Sequence, residues 1–234
     1  DLSQHFFGDI YKKNPSSALK IYKAYINDLC FVLKNIGINI NTVPVLDVLR
    51  KNTHNVIGDR SFSDNPKIVK KLGLACIKNY SLNKIGTVIK HIPGHGCSRL
   101  DSHFFLPVVK DSYKKLNKKD FLPFKSSPAL FAMTAHVKYL SLDRDNVATF
   151  SKKILYNLIR KKLNFKGIII SDDISMKSLK YDLLTNSTKA LAAGCNLILY
   201  CAGKYSESKK LLEGVPFIDK FTEKKTSEFY KFLG

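Results

Sequence analysis

Short apolar runs rich in β-branched residues alternate along this chain with longer segments whose apolar positions recur every three or four residues. That alternation predicts strands separated by helices and therefore a parallel α/β fold, because a strand reaches a parallel neighbour only through a crossover of a dozen or more residues. Five strands are expected, at 38–45, 86–91, 129–136, 167–172 and 195–201. Their apolar runs are continuous, as in strands covered by other elements on both faces.

Helix signals fall between these runs. Tyr22, Ile26, Leu29, Leu33 and Ile36 repeat at steps of four and three, and Gly37 follows as a C′ residue. Asp64-Asn65-Pro66 has the form of a helix start, with the proline in the first turn. Ser151 is placed as an N-cap for a stripe made by Ile154, Leu155, Leu158, Ile159 and Leu163, which ends at Asn164. A short helix over 187–193 stops at Gly194, and the KKLNKKD stretch at 114–120 is expected to be a polar, exposed part of a longer connection. No repeat and no linker divides the sequence, so residues 1–234 are expected to form one domain.

Composition narrows the class further. With 44% hydrophobic residues the chain can bury a sizeable core, and no apolar run approaches the roughly 20 residues that cross a bilayer. Its opening, DLSQHFFGDIYKKN, has no apolar stretch of a signal peptide. The five cysteines are odd in number and scattered, which favours reduced thiols and a cytoplasmic location. A formal charge of +20 raises the question of an anionic partner. The excess is mostly lysine, spread singly or in pairs without arginine clusters or interleaved aromatics, so a solvated surface and no nucleic-acid partner are expected.

Polar residues collect where the expected strands end: Asp47, then Lys90 and His91, then His136, then Asp172 and Asp173. A (β/α)8 TIM-type barrel builds its site from loops at many strand ends, whereas a doubly wound sheet uses one switch point, so the barrel is favoured. No G-x-G-x-x-G follows a strand.

Two constellations bear chemistry. Residues 90–103, KHIPGHGCSRLDSH, pack three histidines and an aspartate around two glycines and a proline. Asp101 stands two residues before His103, a spacing at which a carboxylate can orient an imidazole for proton transfer near neutral pH. His91, His95, Asp101 and His103 are also acceptable zinc ligands, but no H-E-x-x-H or C-x-x-C accompanies them, so no metal is expected. At 168–176, IIISDDISM, an apolar strand ends on two carboxylates. One of them can cap the following segment, which leaves the other unexplained. A carboxylate nucleophile on one strand end facing a proton donor on another loop is the arrangement of retaining glycosidases.

These motifs resemble glycoside hydrolase family 3 and, within it, the NagZ-type β-N-acetylglucosaminidases. The resemblance runs through PVLDV and VIGDRSF, KHIPGHGCSRLDSHFFLPVV, MTAHV, LNFKGIIISDDISM and AGCNLILYC, in family order over nearly the whole chain. It implies Asp172 as nucleophile, His103 as acid/base, Asp101 as its partner, and Arg60, Lys90 and His91 as substrate contacts. It further implies hydrolysis of N-acetylglucosaminyl muropeptide fragments in cell-wall recycling, no cofactor, and a monomer at full length. A histidine in place of the usual second carboxylic acid leaves phosphorolysis open as an alternative, and a non-catalytic carbohydrate- or nucleic-acid-binding barrel is the rival from another class. The family's barrel opens with three further strands, the third ending in a D-Q-E-G-G segment that this sequence lacks. Five strands here and three there make eight, so the chain is expected to supply about the last five strands of the barrel, with two open edges and an uncovered inner face.

Overall fold

The structure is a computed structural model that describes residues 2–51, 53–98 and 105–234. Its centre is a five-stranded sheet made of β1 (Ile40–Asn41), β2 (Gly86–Ile92), β4 (Phe131–Thr134), β6 (Ile168–Asp173) and β7 (Leu197–Leu199), in the order β1-β2-β4-β6-β7. Every pairing in it is parallel. The chain therefore steps one strand at a time in one direction, which is the winding of a barrel. Two further short strands, β3 (Val108–Val109) and β5 (Lys138–Tyr139), pair in parallel beside the strand ends.

All five expected strands are present, and the outer ones are shorter than the apolar runs. Only Ile40–Asn41 of the first run is paired as a strand, with a single further bridge from Val45 to Lys90. Here the chain leaves the sheet early because Pro44 has no amide to donate to a ladder.

The helices follow their signals closely. The turn of α1 (Gln4–Lys13) into α2 (Pro15–Asn35) is set by Asn14, whose side chain accepts from Ser17 N at 3.0 Å, with Pro15 in the first turn. The buried stripe of α2 is Ala18, Tyr22, Ile26 and Cys30; Leu29 and Leu33 are half-buried and Ile36 is exposed. Strict steps of four keep one row of side chains against the neighbouring helix, so the row drifts from the expected three-four alternation. Asn65 caps α3 (Pro66–Leu82) through Lys67 N at 2.9 Å. Ser151 accepts from Ile154 N at 3.1 Å at the head of a π-type helix, Lys153–Lys162, that buries Ile154, Leu155, Leu158 and Ile159. The expected helix at 187–193 is longer, α5 (Leu183–Ala193), because Asp182 caps it through Thr185 N at 3.0 Å.

The KKLNKKD segment is not simply an exposed connection. It forms α4 (Tyr113–Lys118), buries Leu116, and ends on Asp120, whose side chain is wholly buried against Arg50. A charged residue inside a lysine-rich run gives no hydropathy signal of burial; the distant arginine decides it.

The core has two parts. The larger lies between the sheet and the helices α2, α3, the π-type helix and α5. The smaller covers the other sheet face, where Val88, Phe131, Met133 and Ile168 pack against Phe229 of α7 (Lys220–Leu233), which follows α6 (Tyr205–Gly214). The Phe131 and Phe229 rings meet edge to face at 5.1 Å. The expectation of a bare inner face is thus corrected over this area: the chain's own last helix lies across it.

Candidate active site

Asp47, just beyond β1, is fully buried and organises the end of β2. Its carboxylate faces the His91 ring Nδ1 at 2.7 Å, accepts from His91 N at 3.3 Å, and accepts from His95 N at 2.5 Å. Burial opposes its ionisation, but His91 and His95 outweigh that and hold its carboxyl below the ordinary carboxylate range. One carboxylate thus orients one histidine ring and fixes the backbone of the next histidine four residues on. The two rings lie 5.6 Å apart, edge to face. Burial pushes His95 down to about 4, with the neighbouring His91 adding to the effect, so its imidazole is neutral at physiological pH.

The segment after His91 is held by bonds from three directions. Thr53 Oγ1 donates to Gly96 O at 2.6 Å, His54 N donates to Ser98 O at 3.1 Å, and Tyr139 OH donates to Gly94 O at 2.6 Å. Glycine is required at Gly96, where a Cβ would lie 2.0 Å from Val48 O. Beneath it, the Arg50 guanidinium forks onto both oxygens of Asp120 and reaches Asp111 at 2.5 Å. Tyr139 is itself fully buried, and β5, to which it belongs, pairs with Val109. Lys138 N donates to Pro107 O at 2.9 Å. The β5 strand therefore anchors both the start and the far end of the stretch of sequence that contains 99–104.

At the end of β6 the two consecutive aspartates have separate partners. Asp173 accepts from Ser175 N at 3.0 Å, from Ser175 Oγ at 2.8 Å and from Cys201 N at 3.3 Å. It closes the turn after the strand and ties it to the end of β7. Asp172 accepts only from Asp173 N, at 2.9 Å, among the bonds its carboxylate makes to described residues. Burial opposes ionisation of Asp172, yet His91 first, and then the Asp173 amide that its carboxylate accepts from, hold the carboxyl below the usual range, so it is an anion at neutral pH. An ionised carboxylate with a single hydrogen bond from the described residues is a group able to act on something brought to it.

Arg60 and Lys90 border a cleft of about 430 Å³ together with Gln4, Thr42, Val45 and Asp59. Burial and the Arg60 charge push the Lys90 amine below its ordinary value, while Asp172 and Asp47 oppose them. Lys90 Nζ donates to Thr42 Oγ1 at 3.2 Å. Gln4 spans the cleft wall by donating to Arg60 O at 2.6 Å and accepting from Val45 N at 3.0 Å.

Of the residues named from sequence, Asp172, His91, Lys90 and Arg60 are therefore brought to one rim of the sheet. Asp101 and His103 lie outside the described residues. Sequence reasoning passed over Gln4, Thr134, Tyr139 and Thr149 as site-building residues, and noted Asp47 and His136 only as polar strand ends. For Asp47 and His136 a signal existed, since each is a buried-type strand ending on a titratable residue. For Tyr139 and Gln4 none did. Among the described residues no group of three or more His, Cys, Asp or Glu side chains is arranged to hold a metal ion, and no helix is long and apolar enough to cross a membrane. All five cysteines are free thiols.

Comparison with known proteins gives a consistent result. The profile of the "Glycosyl hydrolase family 3 N terminal domain" matches residues 26–225. The "Beta-hexosaminidase" of Nitrosomonas eutropha is 35% identical over 199 residues, which are 83% of this chain and 57% of that protein. "Beta-hexosaminidase A" of Pseudoalteromonas piscicida is 36% identical over 187 residues, 74% of this chain and 30% of that protein. Among solved structures, NagZ from Neisseria gonorrhoeae in complex with N-trifluoroacetyl-D-glucosamine superposes with a TM-score of 0.87 at 28% identity, covering 97% of this chain and 66% of that one. The chain thus spans less than two thirds of the length of the curated relatives it matches, and its sheet corresponds to part of a barrel.

Proposed function

Because this chain belongs to glycosyl hydrolase family 3 through that family's N-terminal domain, we propose that it carries the reacting groups of a retaining β-N-acetylglucosaminidase. The carrying observation is the division of labour at the end of β6. Asp173 is consumed by Ser175 and Cys201, while Asp172 stays anionic beside His91, its carboxylate accepting, among the described residues, only from Asp173 N.

In this reading the Asp172 carboxylate attacks the anomeric carbon as the bond to the leaving oxygen breaks, and His103 gives that oxygen its proton. The product is a glycosyl ester on Asp172. A water molecule then loses a proton to His103 and attacks the same carbon, releasing N-acetylglucosamine with retained configuration and restoring the carboxylate. Asp101 orients His103. Arg60, Lys90 and His91 contact the sugar; Arg60 and Lys90 line one cleft, and the Lys90 amine interacts electrostatically with Asp172. No cofactor takes part.

Residues 1–234 act as one portion of the catalytic barrel domain. The substrate is an N-acetylglucosaminyl fragment of the cell wall, recycled in the cytoplasm by a monomeric enzyme. Support for the sugar comes from the NagZ of Neisseria gonorrhoeae, whose structure holds N-trifluoroacetyl-D-glucosamine, an N-acylated glucosamine.

The test is to incubate the protein with a slow fluorinated N-acetylglucosaminide and map the labelled peptide. The expected result is an ester on Asp172, absent from Asp172→Ala. Label on Asp173, or undiminished turnover of an aryl N-acetylglucosaminide by Asp172→Ala, overturns the reading.

A further inference from the structure

Behind Asp172 runs a chain of four polar contacts through buried side chains, from one half-buried aspartate to the next. Asp172 N donates to Thr134 Oγ1 at 3.3 Å. Thr134 Oγ1 lies 2.8 Å from Thr149 Oγ1, Thr149 Oγ1 lies 2.7 Å from His136 Nδ1, and His136 Nε2 lies 3.0 Å from Asp173 O. Thr134, His136 and Thr149 are wholly buried.

Both ends of this chain fix their own direction, and a neutral ring then fixes the two bonds between them. A backbone amide can only donate, so Thr134 Oγ1 accepts from Asp172 N and has its own hydrogen to give. A carbonyl can only accept, so His136 Nε2 must carry a hydrogen and donate to Asp173 O. With Nε2 protonated, a neutral ring leaves Nδ1 as an acceptor, which Thr149 fills with its hydroxyl hydrogen, and Thr149 Oγ1 then accepts from Thr134. Donation runs without a break: Asp172 N to Thr134, Thr134 to Thr149, Thr149 to His136, His136 to Asp173 O. A doubly protonated ring would donate from Nδ1 to Thr149 Oγ1, whose own hydrogen would then turn to Thr134 Oγ1, reversing that bond, or to Ala135 O at the longer distance of 3.4 Å. Burial pushes His136 below its ordinary value, against the opposing charge of Asp172, in keeping with the neutral ring.

We infer that His136, as the neutral Nε2–H tautomer, and Thr149 are positioning residues for the nucleophile: together with Thr134 they close a ring of hydrogen bonds from the amide of Asp172 to the carbonyl of the next residue. This rests on Asp172 being the nucleophile. The Asp172–Asp173 backbone is thereby held from behind just where β6 departs from regular pairing with β7, between Ile170 and Asp173. Among the described residues the carboxylate itself accepts only from Asp173 N. Successive polarisation along such a chain strengthens each bond, so breaking the middle loosens both ends. The groups that face the ring and could disturb its protonation are Asp172, Asp173 and His91.

Thr149→Val keeps the shape of the side chain and removes the central hydroxyl. The expected result is a loss of about ten- to a hundredfold in kcat for formation of the glycosyl-enzyme, with KM little changed. Thr149→Ser restores the hydroxyl and should restore most of the rate. Independently of activity, nitrogen-15 NMR of the imidazoles should show His136 as the neutral Nε2–H tautomer at pH 7, and Thr149→Val should alter its Nδ1 signal. An Nδ1–H tautomer, a His136 that is protonated on both nitrogens at pH 7, or a Thr149→Val protein with unchanged kcat overturns the inference. Turnover surviving in Asp172→Ala instead marks failure of the nucleophile assignment, which the NMR result does not depend on.

Discussion

The Asp47 carboxylate, shielded from solvent, meets the His91 ring Nδ1 at 2.7 Å and so joins the end of β1 to the end of β2. The same acid accepts from the amide of His95. Asp47→Asn keeps the size and puts an amide group where only acceptors fit. We expect it to destabilise the protein by about 3 kcal/mol, the usual cost of breaking a buried charged contact from one side. Urea denaturation checks this, as a lower midpoint at unchanged slope. Activity should fall with it, since the His91 ring then loses its orienting partner and the His91 and His95 amides their acceptor.

The two aspartates that end β6 should separate cleanly under mutation. Asp172→Ala is expected to abolish turnover while leaving thermal stability nearly unchanged. Asp173→Ala removes the acceptor for Ser175 N, Ser175 Oγ and Cys201 N. It is expected to cost about 1–2 kcal/mol of stability and to leave a glycosyl-enzyme on Asp172 detectable. Parallel melting curves and labelling of both variants decide the matter; reversed phenotypes would exchange the two roles.

Tyr139 joins Gly94 to the strand that also pairs with Val109. Tyr139→Phe removes one hydroxyl and leaves the ring packed edge to face with Phe121 at 6.0 Å. If His103, in the sequence between these anchors, donates the proton, glycosides with poor leaving groups should lose about tenfold in kcat, and activated aryl glycosides far less. A comparison of leaving groups of graded acidity measures it. Equal losses across the series would assign Tyr139 to general stability.

Stability should fall as the solution is acidified from pH 6.5 toward pH 4. His95 is pushed down to about 4 by burial and His136 is pushed below its ordinary value by burial as well. In the unfolded chain both take a proton at about 6.5. Their contribution is therefore complete above that pH and is lost as pH falls toward the folded values, because the unfolded state binds protons that the native state refuses. Asp47 and Asp172 have lowered values and lose their contribution only below the ordinary carboxylate range, outside this window. Melting temperatures measured from pH 8 to pH 4.5 should show the decline, and His95→Gln should flatten the slope by about one proton.

Phe229 is the element that seals the inner sheet face. Phe229→Ala is expected to cost about 3 kcal/mol, within the range for removing a buried aromatic side chain. Dye binding to exposed apolar surface should rise together with the loss of stability, because Val88, Phe131, Met133 and Ile168 lose their cover.

The sequence by itself determined the class of fold, the order of five strands, the main helix caps and the strand ends at which polar groups gather. These rest on local physics: periodicity of burial, a proline or asparagine at a helix start, and a glycine or charged residue where an apolar run stops. Asn65, Ser151 and Gly194 act where they were expected for that reason. Only the tertiary structure decided how the strand ends are wired. Nothing local says that Arg50 will bury Asp120 seventy residues away, that Tyr139 will reach Gly94, or that Thr149 will complete a chain behind Asp172. Nor does a lysine-rich final helix announce that its Phe229 will lie on the inner face of the sheet. Each of these depends on the closeness of segments far apart in the chain, and on which buried polar atoms must then find partners. A titratable residue at a strand end is visible in one dimension, but its protonation state and its freedom to react are set by neighbours that only the packed fold supplies.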